Sequence, residues 1–186
     1  MSSLKKNATL FLPQIALTLS SLFWSGNFIV GRALRDDIPA ITMNYWRWII
    51  ALLILLPFTL PTLSQHRRLI YKHWRFITLL AITGIAGFHI CVYLALQTTT
   101  AINALLFLSI SPLVIILGSR LRYGDLITLW QTTGIIVSLL GVVALITHGE
   151  PERILGLQFN RGDLWMLLAV LCWSIYSVVL KQKPQG

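Results

Sequence analysis

The chain has 186 residues, of which 56% are hydrophobic and only 11% charged, whereas an ordinary soluble domain carries roughly a quarter charged residues. With a mean hydropathy of +0.75, this excludes a sizeable soluble domain and leaves a polytopic membrane protein, because a helix crosses the hydrocarbon with about 20 apolar residues. The formal net charge of +9 would point to nucleic acid in a soluble chain; here the positions of the charges decide its meaning.

Apolar runs bounded by charged or turn-forming clusters predict six transmembrane helices, over 11–34, 42–63, 76–97, 101–119, 126–147 and 164–180. Barrel strands are excluded, since the runs are about twice too long and do not alternate. The first run follows Lys5 and Lys6 but continues past Asn27 to Gly31 without a small-x-small cleavage pattern, so it is a retained span and not a signal peptide. With the N-terminus inside, the inner segments hold Lys5, Lys6, Arg67, Arg68, Lys72, Arg75, Arg120, Arg122, Lys181 and Lys183. The outer loops hold only Arg32, Arg35, Arg153 and Arg161. Acidic residues are placed oppositely: Asp36, Asp37, Glu150, Glu152 and Asp163 outside, Asp125 inside. The positive-inside rule then gives an N-in/C-in topology. The basic charge is a topology signal, with the 66–75 loop near anionic headgroups of the bilayer, and no nucleic-acid partner is expected.

Polar groups within spans find no water in the hydrocarbon and must face protein or an aqueous cavity. In span one, Ser20, Trp24, Asn27 and Gly31 fall along one helical face; Asn27 either lines a pathway or makes an interhelical hydrogen bond. Arg47 is the one charge well inside a span. It either snorkels outward beside an interfacial belt of Tyr45, Trp46 and Trp48, or faces a cavity and attracts a substrate carboxylate. His89, Tyr93 and Gln97 make a polar face on span three, with His89 either a proton relay or a packing residue. In span four, Asn103 and Ser111 lie near one face, and Pro112 frees the Leu108 carbonyl and kinks the helix. Gly134, Ser138 and Gly141 on span five form a small-residue stripe suited to close helix contact. The Gly-Asp pairs at 124–125 and 162–163 open spans five and six, where an acid suits a helix N-terminus.

Nothing in this inventory supports an enzyme. There is no intramembrane carboxylate pair, metal-ligand cluster, Gly-x-Ser-x-Gly or phosphate-binding glycine loop, and no cofactor or metal is expected. Cys91 and Cys172 lie in apolar runs without ligand spacing and read as small buried residues.

A short internal match pairs Trp24-Ser25 with Trp173-Ser174 and Val30-Gly31-Arg32 with Val179-Leu180-Lys181, at constant separation. An odd number of helices between the copies would place the second upside down, the inverted-repeat logic of secondary transporters. The stretch Trp24-Ser25-Gly26-Asn27-Phe28, Arg47, Ala95-Leu96 leading through threonines to Asn103-Ala104, Pro112, Gly124-Asp125, Gln131, Gly134 and Gly141-Val142 resembles the EamA-type domain of the drug/metabolite transporter superfamily. Two departures stand out: Asp125 where that family usually carries Glu, and Thr98 where it often has an aromatic.

The apolar runs make this an all-α bundle of six spans, which the resemblance places in the inner (plasma) membrane. Residues 1–147 would be a five-helix repeat, 148–163 an external loop, and 164–186 the first helix of an incomplete second repeat. The resemblance implies a small-molecule substrate such as an amino acid or amine, moved by alternating access past Trp24, Asn27, Arg47, Tyr93, Asn103 and Trp173. The family's ten-span architecture leaves three expectations: a pathway completed by a second copy or a separately encoded second half, a transport-inactive truncated product, or a non-transporting assembly component.

Overall fold

The computed structural model describes residues 2–147, 150 and 160–184. Most of the expected external loop, with Glu152 and Arg153, lies outside the described residues. In chain order the elements are α1 (Ser2–Ala33), α2 (Ala40–Gln65), α3 (Arg67–Lys72), α4 (Trp74–Leu80), a π-helical segment (Ala81–Gly87), α5 (Phe88–Leu96), α6 (Ala101–Leu108), α7 (Ser111–Tyr123), α8 (Leu129–Thr147) and α9 (Arg161–Leu180). Among the described residues all regular structure is helical. Four stretches among the described residues are long and apolar enough to cross a membrane: Ala40–Gln65, Trp74–Leu96, Ala101–Tyr123 and Arg161–Leu180. Helix α8 is apolar over the shorter Leu129–Leu145. Helix α1 has 32 residues, but Gln14, Thr18, Ser20, Ser21, Ser25 and Asn27 dilute its apolar character.

Contacts fix the relative directions of the helices. Arg32, at the end of α1, donates from Nη1 to the carbonyls of Leu96 and Gln97 at 2.7 and 3.0 Å, so α1 and α5 run the same way. Arg47 meets Tyr93 and Trp48 meets His89, which sets α2 antiparallel to α5. Helix α9 starts beside Thr98 and Thr99 and passes Gly87 and then Gly84, antiparallel to α5. Helix α7 ends beside the end of α9, where the Tyr123 hydroxyl donates to the Val178 carbonyl at 2.8 Å. Phe28, Phe88, Val92, Tyr93, Leu96, Ala104, Met166 and Ala169 form the buried core where α1, α5, α6 and α9 meet. Leu52, Leu53, Ile54, Leu55 and Phe58 of α2 point outward, as lipid-facing side chains do when the surrounding solvent is hydrocarbon.

Several local expectations are corrected. Span three is not one regular helix, because Ala81–Gly87 is π-helical. Its two glycines face α9 at close range: a Cβ at Gly84 would fall within the Tyr176 ring, and one at Gly87 would lie 3.2 Å from the Cys172 Sγ. Span four is two helices, so Asn103 on α6 and Ser111 on α7 do not share a continuous face. The break follows from Pro112, which has no N–H for the Leu108 carbonyl; α6 closes instead with Ser109 N–H bonded to Leu105 O and Ile110 N–H to Phe107 O. Asp125 does not open α8, which begins at Leu129. Gly124 ends α7 in the left-handed region at φ 73°, and Asp125 turns to pair with Lys181. The small-residue stripe of α8 does not make close contact, since Gly134 and Gly141 have nothing within 4 Å of a Cβ position. Between Gly134 and Ser138 of α8 and Ser109, Pro112, Leu113 and Ile116 lies a cavity of about 320 Å³.

Candidate functional site

The polar face of α1 becomes more buried toward its C-terminal end, as α1 approaches α5. Trp24 is 40% exposed, Asn27 is half-buried and Gly31 is buried. A Cβ at Gly31 would come within 2.9 Å of the Tyr93 ring and the Leu96 side chain. Glycine therefore permits the approach that lets Tyr93 reach across to Asn27. The Tyr93 hydroxyl donates to Asn27 Oδ1 at 2.7 Å and accepts from Arg47 Nη1 at 2.8 Å. A side chain that is 1% exposed thus joins α1, α5 and α2 through one oxygen.

Arg47 turns inward and does not snorkel. Its guanidinium carbon lies 5.4 Å from the Trp48 ring centroid, close enough for a cation–π contact. Tyr45 and Trp46 stay exposed as an interfacial belt would, but Trp48 faces His89 edge-on at 5.4 Å. Among the described residues, Arg47 has no carboxylate within ion-pair distance, whereas Arg35 pairs with Asp36 and Lys181 with Asp125. Its polar partner in the protein is the neutral phenol of Tyr93, leaving most of the five guanidinium donors open. His89 Nδ1 lies 2.9 Å from the Ile85 carbonyl, the bond of a packed helix histidine.

A second cluster is aromatic. Trp24 and Trp173 meet with ring centroids 5.7 Å apart, Trp173 stacks on Tyr176 at 5.3 Å, and Phe88 lies 5.0 Å from Trp173. The two tryptophans of the internal sequence match therefore touch, on helices that run in opposite directions. Beside them is a cavity of about 340 Å³ lined by Trp24, Leu105, Leu108, Ser109, Ser111, Pro112, Ile115 and Trp173.

Of the six residues singled out in the sequence, Asn27, Arg47 and Tyr93 form one hydrogen-bonded unit and Trp24 and Trp173 one aromatic pair. Asn103 joins neither: it is exposed, and its backbone N–H donates to the Thr100 hydroxyl that caps α6. Further buried polar groups lie in the bundle: Ser111 lines the cavity beside the tryptophans, and Ser174 lines a separate one with Val114 and Gly118. Asn44 Oδ1, Trp48 Nε1, Ser111 Oγ and Ser174 Oγ are buried without a hydrogen-bond partner, a state uncommon enough that each calls for water, a ligand or motion. Asn44, Arg47 and Trp48 fall at i, i+3 and i+4, and this spacing was the available signal for the first two. Among the described residues, no group of three or more His, Cys, Asp or Glu could hold a metal.

The EamA-like transporter family pattern matches residues 12–147, the region that holds α1, α2, α5 and the Asn27–Tyr93–Arg47 unit. The chain belongs to the EamA-like transporter family. This EamA-like chain is also similar to an uncharacterized transporter of Bacillus subtilis, YyaM, at 29% identity over 134 residues, covering 72% of this chain and 44% of YyaM. It is 25% identical over 167 residues to an uncharacterized transporter of Archaeoglobus fulgidus, covering 89% of this chain and 56% of the relative. An uncharacterized transporter of Methanothermobacter thermautotrophicus is 35% identical over 86 residues, 46% of this chain and 25% of the relative. The matches thus span about half or less of these relatives' lengths. No solved structure gives a significant match.

Proposed function

We propose that this chain forms part of a pathway that carries small amphipathic metabolites, such as amino acids or amines, across the inner membrane by alternating access. Six crossings from an inner N-terminus to an inner C-terminus make residues 1–147 a five-helix repeat and 164–186 the opening of an inverted second one. Trp24, Asn27, Arg47, Tyr93, Asn103 and Trp173 line the route. The observation that carries this reading is Arg47, a cation in a membrane bundle whose polar partner is a neutral phenol. An unpaired charge is expensive in hydrocarbon and marks an aqueous route or an anionic ligand group, and Arg recognises carboxylates through two parallel N–H bonds.

Further helices beyond residues 1–186, whether of a second copy or of a second half, complete the pathway. The greater length of the relatives and the unfilled glycine face of α8 support this. The test is flux of a metabolite panel in liposomes holding the purified full chain, with folding verified. Saturable flux that falls at least tenfold in Arg47→Lys supports the reading. Absence of flux for the whole panel refutes transport by this chain alone and favours the inactive-product or assembly-component readings.

A further inference from the structure

The two Gly-Asp pairs, at 124–125 and 162–163, have no part in the pathway just described, yet both hold α9, one at each end. At its start, Asp163 is 5% exposed, and its Oδ1 accepts from the Thr99 hydroxyl at 3.0 Å. Its Oδ2 accepts from the Asn160 backbone N–H at 2.9 Å, completing a capping box. Gly162 is pressed against α5, where a Cβ would lie 2.5 Å from the Ala95 carbonyl and 2.6 Å from the Thr98 hydroxyl. Arg32 holds the end of α1 to the same carbonyl turn. At this end of the bundle Thr99 and Asp163 are both buried, 1% and 5% exposed.

The opposite end differs. Asp125 pairs with Lys181, but the side chains are 43% and 50% exposed, and a cavity of about 270 Å³ lies beside them, lined by Ser119, Gln131, Ser177 and their neighbours. A buried hydrogen bond to a carboxylate is much stronger than an exposed ion pair, which water and salt screen.

We propose that the Thr99–Asp163 hydrogen bond, seated on Gly162, is the latch that closes one face of the bundle, and that Asp125–Lys181 is its weaker counterpart on the other. The conformation described is latched at the Asp163 face and released more easily at the Lys181 face. The inference rests on the alternating-access reading, and its test needs no substrate.

Cys91 and Cys172 sit between the two faces and serve as reporters. The full chain, in vesicles of defined sidedness, is treated with a membrane-impermeant maleimide from each face. Thr99→Val removes the hydroxyl with little change of shape. Labelling from the Asp163 face should rise about 10- to 100-fold, the ratio that corresponds to a lost hydrogen bond to a charged group. Thr99→Ser should stay near wild type, and Asp125→Asn should raise labelling from the Lys181 face by about fivefold at most. If Thr99→Val fails to fold, Gly162→Ala is read instead, since its methyl wedges the same contact. Labelling from the Asp163 face that stays within twofold of wild type in the folded variant, or that rises equally from both faces, overturns the latch. A chain that passes this test but shows no flux would refute the transport reading alone.

Discussion

Replacing Tyr93 by Phe deletes one buried oxygen and with it two interhelical hydrogen bonds, to Asn27 Oδ1 and from Arg47 Nη1. In a water-soluble protein, one neutral bond and one to a charged group would sum to about 2–4.5 kcal/mol. Measured interhelical bonds in membranes average about 0.6 kcal/mol with a maximum near 1.7, because the unfolded chain in the bilayer also finds partners. The membrane scale applies to both bonds. The charge on Arg47 moves the second toward the upper end, so the expected loss is about 1–2.5 kcal/mol. Reversible unfolding of the purified chain by titrating SDS into mixed micelles gives this quantity, with Tyr93→Phe, Asn27→Ala and the double variant forming a cycle. The cycle should show a coupling of about 0.5–1.5 kcal/mol, and Tyr93→Phe should cost more than Asn27→Ala because it also strips Arg47. Additive effects within about 0.3 kcal/mol, or a Tyr93→Phe loss below that, would show that the shared oxygen does not tie α1 and α2 to α5.

Three further outcomes follow from the packing and capping already described. Gly84→Ala puts a methyl into the Tyr176 ring and should destabilise by about 1–3 kcal/mol, as overpacking does; the additional change Tyr176→Ala should recover most of that loss in the same titration. Trp24→Ala and Trp173→Ala should couple by about 0.5–1.5 kcal/mol, the range for a tilted aromatic pair, and quenching or emission shifts of the remaining tryptophans give an independent readout. Asn160→Ala removes the acceptor for the N–H groups of Gly162 and Asp163 and should cost about 0.5–2 kcal/mol, with faster amide exchange confined to the first turn of α9.

Hydropathy made the helical class and the membrane setting legible, because lipid requires long apolar runs wherever the backbone crosses. Helix faces were equally readable: the i, i+3, i+4 arithmetic put Trp24, Asn27 and Gly31 on one side of α1, and the structure turns that side toward α5 and α9. Periodicity alone could not show that Tyr93 serves both Asn27 and Arg47, since that depends on how three helices cross. For Arg47 it left snorkelling and cavity-facing open, and the position of the phenol shows that the side chain turns inward. The π-helical segment was hidden because it changes hydrogen-bond spacing without changing composition. The glycine stripe of α8 reads as a packing surface in any sequence, yet packing needs an opposing helix and the described chain brings none close. Asn103 shows the converse case: a polar residue in an apolar run near a helix start, exposed beside the Thr100 cap and apart from both clusters.

The π-helical Ala81–Gly87 has one more consequence. Each residue inserted into a helix turns everything beyond it by about 100°, so the segment acts as a phase slip between α4 and α5. Ile77 and Leu79, on the outer side of the slip, can face acyl chains, while His89 and Tyr93, on the other, face the bundle. No single 3.6-residue repeat has to serve both halves. The third span is in effect two rotors on one axle, and a deletion within 81–87 would re-time the lipid-facing half while leaving the Tyr93 half in register with Asn27 and Arg47.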